Sequence, residues 1–68
     1  MSALKNIIGR NIIYAPTDEI EFFCICEEAD NGLCRLREVD TGHVHCMFGE
    51  LMAQSLLEGK EVSQMELV

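Results

Sequence analysis

The chain has 68 residues, which is enough for one domain and leaves no room for a second. Hydrophobic residues make up 49% of it and charged residues 25%, values typical of a folded globular domain and not of a disordered segment. Five basic and twelve acidic residues give a net charge of −7, which disfavours direct contact with nucleic-acid phosphates or anionic lipid. No apolar run reaches the roughly 18 residues of a membrane span, and a secretory signal pattern is lacking, so we expect a cytoplasmic protein.

The N-terminal part predicts a short helical turn followed by a strand. Ser2 is placed to cap a turn that ends at Gly9, although residues 4–8 are also compatible with the start of a strand. Residues 10–15 have the β-branched and aromatic character of a strand. Pro16 is expected to end that strand, because proline has no backbone donor for a ladder hydrogen bond.

The clearest strand pattern covers residues 20–27, where side chains alternate between two faces. One face is wholly apolar and is predicted to face the core; it consists of Ile20, Phe22, Cys24 and Cys26. The opposite face consists of Glu21, Phe23, Ile25 and Glu27.

Two turn signals predict that this strand belongs to a three-stranded meander. Asn31-Gly32 is the strongest short hairpin signal, and residues 34–40 follow it as a partner strand. The Asp-Thr-Gly sequence at 40–42 predicts a second turn, after which residues 43–48 form the third strand.

The C-terminal third predicts one helix and an ambiguous tail. Apolar side chains four residues apart predict a helix over residues 50–58, with Glu50 in the first turn and Gly59 as its left-handed terminator. The tail, residues 60–68, is either a closing strand or a segment ordered only by a partner.

The predicted fold class is therefore mainly β: a small barrel, or a strongly bent antiparallel meander, with a C-terminal helix. It forms a single domain over residues 1–68 with a core at about 10–59. The choice between a closed barrel and an open sheet depends on the two chain ends, which are the least legible segments.

The Leu36–Gly42 segment, Leu-Arg-Glu-Val-Asp-Thr-Gly, is followed by Val44 and Phe48. With the surrounding order of strands and turns, it makes the stretch from Ile12 to Leu51 similar to small SH3-like barrels of the Tudor and KOW type. The resemblance implies a binding module for peptides, nucleic acids or other subunits. This chain departs from such modules in having few aromatic residues and an acidic charge balance, so the resemblance names no ligand.

Four cysteines and two histidines raise the possibility of a zinc site, which needs about four converging ligands. The candidates are Cys24, Cys26, Cys34, Cys46, His43 and His45. Cys24 and Cys26 are separated by one residue in a strand, which is poor spacing for chelating one ion. His43 and His45 are expected to face away from Cys46 unless a bulge interrupts the strand. We therefore expect reduced cysteines acting as small core residues, without a metal, a cofactor or a catalytic residue.

An acidic block without any basic residue lies between residues 17 and 32. It consists of Asp18, Glu19, Glu21, Glu27, Glu28 and Asp30. One interpretation is a mimic of nucleic-acid phosphates that occupies the basic groove of a DNA- or RNA-binding protein. The other is a solvated strand edge, in which Arg35 and Arg37 of the next strand pair with Glu21 and Glu27.

The surplus of apolar residues in so small a body predicts association with a protein partner or with a second copy. The predicted interaction residues are Phe23, Ile25, Leu51, Met52 and Leu56. The sequence thus favours a non-enzymatic, acidic protein-interaction module that forms a homodimer or other homo-oligomer, without direct nucleic-acid or membrane contact. The alternatives are an acidic inhibitor of a nucleic-acid-binding protein and a small zinc-stabilised binding module.

Overall fold

A computed structural model describes residues 2–68. Its elements are α1 (Ala3–Ile7), β1 (Asn11–Thr17), β2 (Ile20–Glu28), a 3-10 turn (Asp30–Gly32), β3 (Cys34–Glu38), β4 (Val44–Phe48), α2 (Glu50–Leu57) and β5 (Met65–Leu67). The strands form one antiparallel sheet in the order β4-β3-β2-β1-β5. The mainly β class and the central meander are confirmed, and the tail forms a strand, β5, that pairs with β1 at one edge of the sheet. Neither helix of the described chain has the length and apolar content that crossing a membrane requires.

One face of the sheet and both helices together enclose the core. The buried cluster consists of Ile7, Ile12, Cys24, Cys26, Cys34, Leu36, Phe48, Ala53, Leu56 and Met65. The strand residues of this cluster alternate with outward-facing neighbours, as a pleated strand requires. Cys24 and Cys26 therefore face inward as predicted. The core also extends beyond the predicted range of 10–59, because Ile7 of α1 and Met65 of β5 belong to it.

The first strand differs from its prediction at Pro16. The expectation that proline ends the strand is wrong, because β1 continues to Thr17. The register between β1 and β2 shifts between Tyr14 and Thr17, so Pro16 lies in an irregularity of the ladder. A bulge is a place where a missing backbone donor is tolerated in a strand.

Ile20 is the first residue of β2 and lies outside the core, so its prediction as a core residue is wrong. Ile20 pairs with Thr17, beyond the shift, and is 46% exposed. Phe22, the next residue on that face of β2, is partly buried and packs against the core. The inward face of β2 therefore begins at Phe22 and not at Ile20.

The tight turns at Asn31 and Gly42 form as predicted. Asn31 and Gly32 both have positive φ, 63° and 70°, which the type I′ hairpin turn requires at its two central residues. Gly42 has a φ of 80° and donates its N–H to the carbonyl of Glu38 at 2.9 Å, which closes the turn between β3 and β4.

A third turn, which leads into β5, also has two consecutive residues with positive φ, but here they are residues that rarely adopt it. Ser63 and Gln64 have φ values of 50° and 66°, and Val62 and Met65 exchange backbone hydrogen bonds of 3.1 and 2.8 Å across them. Left-handed backbone costs an ordinary L-residue about 1–2 kcal/mol, whereas asparagine and glycine adopt it readily.

We expect the double substitution Ser63→Asn and Gln64→Gly to raise the free energy of unfolding by about 1 kcal/mol, because it relieves this strain. Urea unfolding monitored by circular dichroism measures the change. The matched control is the reverse exchange in the β2–β3 turn, Asn31→Ser with Gly32→Gln, which we expect to lower stability. An unchanged or lower midpoint for the first variant would contradict the expectation.

Candidate functional site

Four apolar side chains lie together on the outer face of the sheet, and we call them the outer patch: Ile13, Phe23, Ile25 and Val39. Ile13 is opposite Phe23 in the pairing of β1 with β2. Val39, just beyond β3, donates its backbone N–H to the carbonyl of Phe23 at 3.0 Å. Ile25 lies two residues after Phe23 on the same face of β2.

The outer patch is accessible because both helices pack on the other face of the sheet. Ile7 of α1 and Leu56 of α2 belong to the core cluster, which lies on the inner face. Phe23 is 50% exposed, and Val39 is similarly accessible. Within residues 2–68, no helix covers the outer patch.

An ion-paired group of charges borders the outer patch on the side of β3. The guanidinium of Arg37 contacts Glu27 at 2.8 Å, and that of Arg35 contacts the same carboxylate at 3.5 Å. The hydrogen bond from Arg37 lowers the pKa of Glu27, and the charges of both arginines add to this effect. The predicted pairing is confirmed for Glu27, while Glu21 has no ion pair within the described chain.

The fold divides the acidic block between the two ends of β2. Asp18 and Glu19 lie in the turn before this strand, while Glu28 and Asp30 lie at its end and in the next turn. A nine-residue strand with a rise of about 3.3 Å per residue separates these ends by roughly 26 Å. Because Glu27 is also paired with two arginines, the block does not form a continuous row of free carboxylates.

The predicted interaction residues on α2 have three different environments. Leu51 is 82% exposed, the highest value among the large hydrophobic side chains of residues 2–68, and is available to a partner. Met52 is partly buried and packs against the core. Leu56 is fully buried, so its prediction as a surface contact is wrong. Helical periodicity gives the spacing of these residues but does not show which side of the helix meets the sheet.

The four cysteines are free thiols, three of them buried and Cys46 partly buried. Burial raises the pKa of Cys24 to about 11 and that of Cys26 to about 12. Burial likewise raises the pKa of Cys34 and Cys46. With these pKa values Cys24 and Cys26 stay protonated at neutral pH, whereas the form that attacks electrophiles is the thiolate. Their chemistry in this core is that of small apolar side chains.

No group of three or more His, Cys, Asp or Glu side chains in the described residues is arranged to hold a metal ion. Two of the thiols contact polar atoms of other residue types. The Sγ of Cys24 lies 3.7 Å from the carbonyl of Phe22, and the Sγ of Cys46 lies 3.9 Å from the sulfur of Met65. The zinc alternative therefore has no ligand set in this part of the chain.

The two histidine rings meet edge-on with a centroid distance of 4.7 Å, and the prediction that both face away from Cys46 is wrong for His45. The pairing of β3 with β4 shifts register, so that Cys46 and Val44 oppose consecutive residues of β3. His45 is the extra residue of this bulge, and a bulge redirects its side chain. His43 precedes β4 and is exposed, as predicted.

The redirected imidazole of His45 fills a position between rings at the edge of the core. It stacks on Phe22 with a centroid distance of 4.4 Å and lies 5.4 Å from the ring of Tyr14. Its Nε2 is 2.9 Å from Oε1 of Glu38, and the two side chains are only 12% and 14% exposed. The packing and the hydrogen bond together assign His45 a structural role in this cluster.

Glu50 joins the two helices, a role that the sequence pattern does not indicate. Its carboxylate accepts hydrogen bonds from the backbone N–H of Ala3 at 2.6 Å and of Leu4 at 3.4 Å, and from the Ser2 hydroxyl at 3.0 Å. The two backbone N–H groups are among the donors at the start of α1 that have no partner within the helix. Ser2 therefore donates to Glu50. The prediction that its own side-chain oxygen caps the helix is wrong. The bonds from Ala3 and Ser2 lower the pKa of Glu50 below its usual 4.5.

We expect Glu50→Gln to reduce thermal stability at neutral pH, because the neutral amide accepts these hydrogen bonds more weakly. The pKa of Glu50 is lowered by folding, so its contribution is complete above the unfolded-state pKa and is lost as the pH falls through the folded-state value. The difference in melting temperature between wild type and variant should therefore shrink as the pH falls below about 4.5. Thermal melts from pH 7 to pH 3 measure it, with Glu61→Gln as the exposed control. A difference that is as large at pH 3 as at pH 7 would contradict this role.

Comparison of the chain with protein-family models, with curated proteins and with solved structures found no match.

Proposed function

We propose that this chain is a non-enzymatic protein-interaction module that binds its partner through the outer patch. The observation that carries the proposal is a half-exposed phenylalanine, Phe23, surrounded by aliphatic side chains on a sheet face that neither helix covers. Large contiguous apolar surfaces on small proteins are typical of contact sites.

The composition of this surface supports binding to another folded protein. Aromatic and arginine side chains are enriched in protein interfaces, and most binding energy comes from a few such residues. Phe23 provides the aromatic anchor here, while Arg35 and Arg37 lie at its border with Glu27 between them. The resemblance to SH3-like barrels, which usually serve as binding modules, agrees with this proposal but stays a prediction.

The acidic-mimic alternative receives less support from the geometry. Mimicry of a nucleic acid needs a continuous row of free negative charges, whereas the acidic residues are divided between the two ends of β2. Glu27, near the end of that strand, is neutralised locally by two arginines. The net charge of −7 still favours a partner whose contact surface is basic around an apolar centre.

The proposal is tested by affinity capture from the source cells with three tagged forms of the chain. These are the wild type, Phe23→Gln, and the control Leu51→Gln, which changes an exposed leucine on α2. We expect a protein that wild type and Leu51→Gln retain and that Phe23→Gln loses. Identical sets on all three forms, or no protein specific to the wild type, would contradict the proposal. Circular dichroism establishes that each variant is folded.

A further inference from the structure

Two exposed glutamates border the outer patch. Glu66 of β5 lies directly opposite Ile13, and residues that are opposite each other in a sheet share a face. Glu21 lies two residues before Phe23 on the same face of β2. Neither glutamate takes part in an ion pair among residues 2–68, so both carboxylates are available to a partner on this face.

The arginines lie at the other border of the outer patch. Arg37 of β3 is opposite Ile25, and Arg35 is opposite Glu27. Because both guanidinium groups share the one carboxylate of Glu27, this corner of the face keeps a surplus of positive charge. The charge across the outer patch is therefore polarised: it is negative toward β5 and the start of β2, and positive along β3.

The dimensions of the outer patch match those of one helix. Its side chains come from three neighbouring strands or their ends, and strands lie about 4.8 Å apart, so the patch is roughly 10 Å wide. An α-helix with its side chains has a diameter of about 10–12 Å. The stretch of β2 from Glu21 to Glu27 rises by about 20 Å, the length of roughly 13 helical residues. A single helix lying along β2 therefore covers the outer patch.

We propose that the partner of the outer patch presents a basic amphipathic helix, which lies along β2 with its apolar stripe on Phe23. This inference rests on the proposed function and adds the class of partner to it. Lysine or arginine side chains of the helix pair with Glu21 and Glu66. An acidic side chain at the other end of the helix meets Arg35 and Arg37.

The apolar and charged parts of this surface have different roles in binding. Phe23 is 50% exposed, and its burial under the helix supplies most of the affinity. Glu21 and Glu66 lie at the rim, where charges orient the partner and make binding depend on salt. A second copy of this chain is a poorer occupant, because two copies of net charge −7 repel each other.

A designed peptide serves as the probe for this partner class. It has about 18 residues, long enough to form a helix, with leucine along one face and lysine on the other. Two control peptides of equal length separate the effect of charge from that of amphipathicity. One has glutamate in place of every lysine, and the other has the same leucines and lysines in an order without helical periodicity. Fluorescence anisotropy of each labelled peptide measures its dissociation constant for the full chain.

We expect the basic amphipathic peptide to bind the wild type more tightly at about 0.05 M than at about 0.5 M NaCl, and to bind more tightly than either control peptide. Phe23→Gln should raise its dissociation constant roughly 30-fold. The double variant Glu21→Gln with Glu66→Gln should raise it about 3- to 10-fold at low salt. The matched control, Glu58→Gln with Glu61→Gln, makes the same change of net charge elsewhere and should bind as the wild type does.

Equal binding of the acidic peptide, or equal losses in the two double variants, overturns the proposal. So does the absence of binding by the basic peptide, or self-association of the wild type that Phe23→Gln abolishes in sedimentation velocity.

Affinity capture with the Glu21→Gln, Glu66→Gln variant separates this inference from the proposed function. We expect this variant to retain less of the protein that Phe23→Gln loses. Retention at the wild-type level overturns the partner class and leaves the proposed function intact, whereas undiminished retention by Phe23→Gln overturns both. Because Glu21 and Glu66 are exposed, their replacement should leave the fold unchanged, and circular dichroism establishes this.

Discussion

We expect Leu56→Ala to lower the free energy of unfolding by about 2–5 kcal/mol. Leu56 is fully buried where α2 packs on the core, so truncation removes apolar burial and leaves a cavity. A domain of 68 residues has a total stability of roughly 3–10 kcal/mol. The variant should therefore be largely unfolded at 37 °C or melt at a much lower temperature.

Leu51→Ala is the matched control for this prediction, because it makes the same chemical change on the same helix. Leu51 is 82% exposed, and we expect a change within about 0.5 kcal/mol. Urea titration of both variants, at a concentration where the wild type is monomeric, separates the two effects. Equal losses of stability would show that Leu56 is not part of a packed core.

The second large effect is expected for His45→Ala, a loss of about 2–4 kcal/mol. The substitution leaves the nearly buried carboxylate of Glu38 without its hydrogen-bond partner, which costs about 1–3 kcal/mol, and removes the ring stacked on Phe22. His43 is exposed, and its ring meets that of His45 edge-on at 4.7 Å, so its replacement by alanine should cost less, about 0.5–1 kcal/mol.

A double-mutant cycle with Glu38→Ala measures the interaction of His45 with Glu38 directly. We expect the double variant to be more stable than the sum of the two single losses indicates, because each single change strands one partner. Additive losses, or equal stability of His45→Ala and His43→Ala, would mean that the imidazole of His45 faces water after all.

Local patterns in the sequence were sufficient for the central meander, the C-terminal helix and the inward side of the central strand from Phe22 onward. Alternation in β2 placed Cys24 and Cys26 in the core, and Asn31-Gly32 located the first hairpin. These features depend on neighbours in the chain: a pleat reverses the side-chain direction at each residue, and glycine or asparagine adopts positive φ. The pairing of Arg37 with Glu27 followed from the register that this hairpin imposes.

Tertiary structure alone decided where the regular patterns are interrupted and which surfaces are covered. The register shifts that keep Pro16 in β1 and turn His45 toward Phe22 depend on how whole strands align, and no local signal marks them. Burial of Leu56, and the contact of Glu50 with the first turn of α1, require two helices that are distant in sequence to meet. The alignment of strands and the packing of helices depend on contacts between residues that are far apart in the chain. Local sequence patterns therefore indicated most of the elements, whereas the assembled fold decided which side chains are buried and which are exposed.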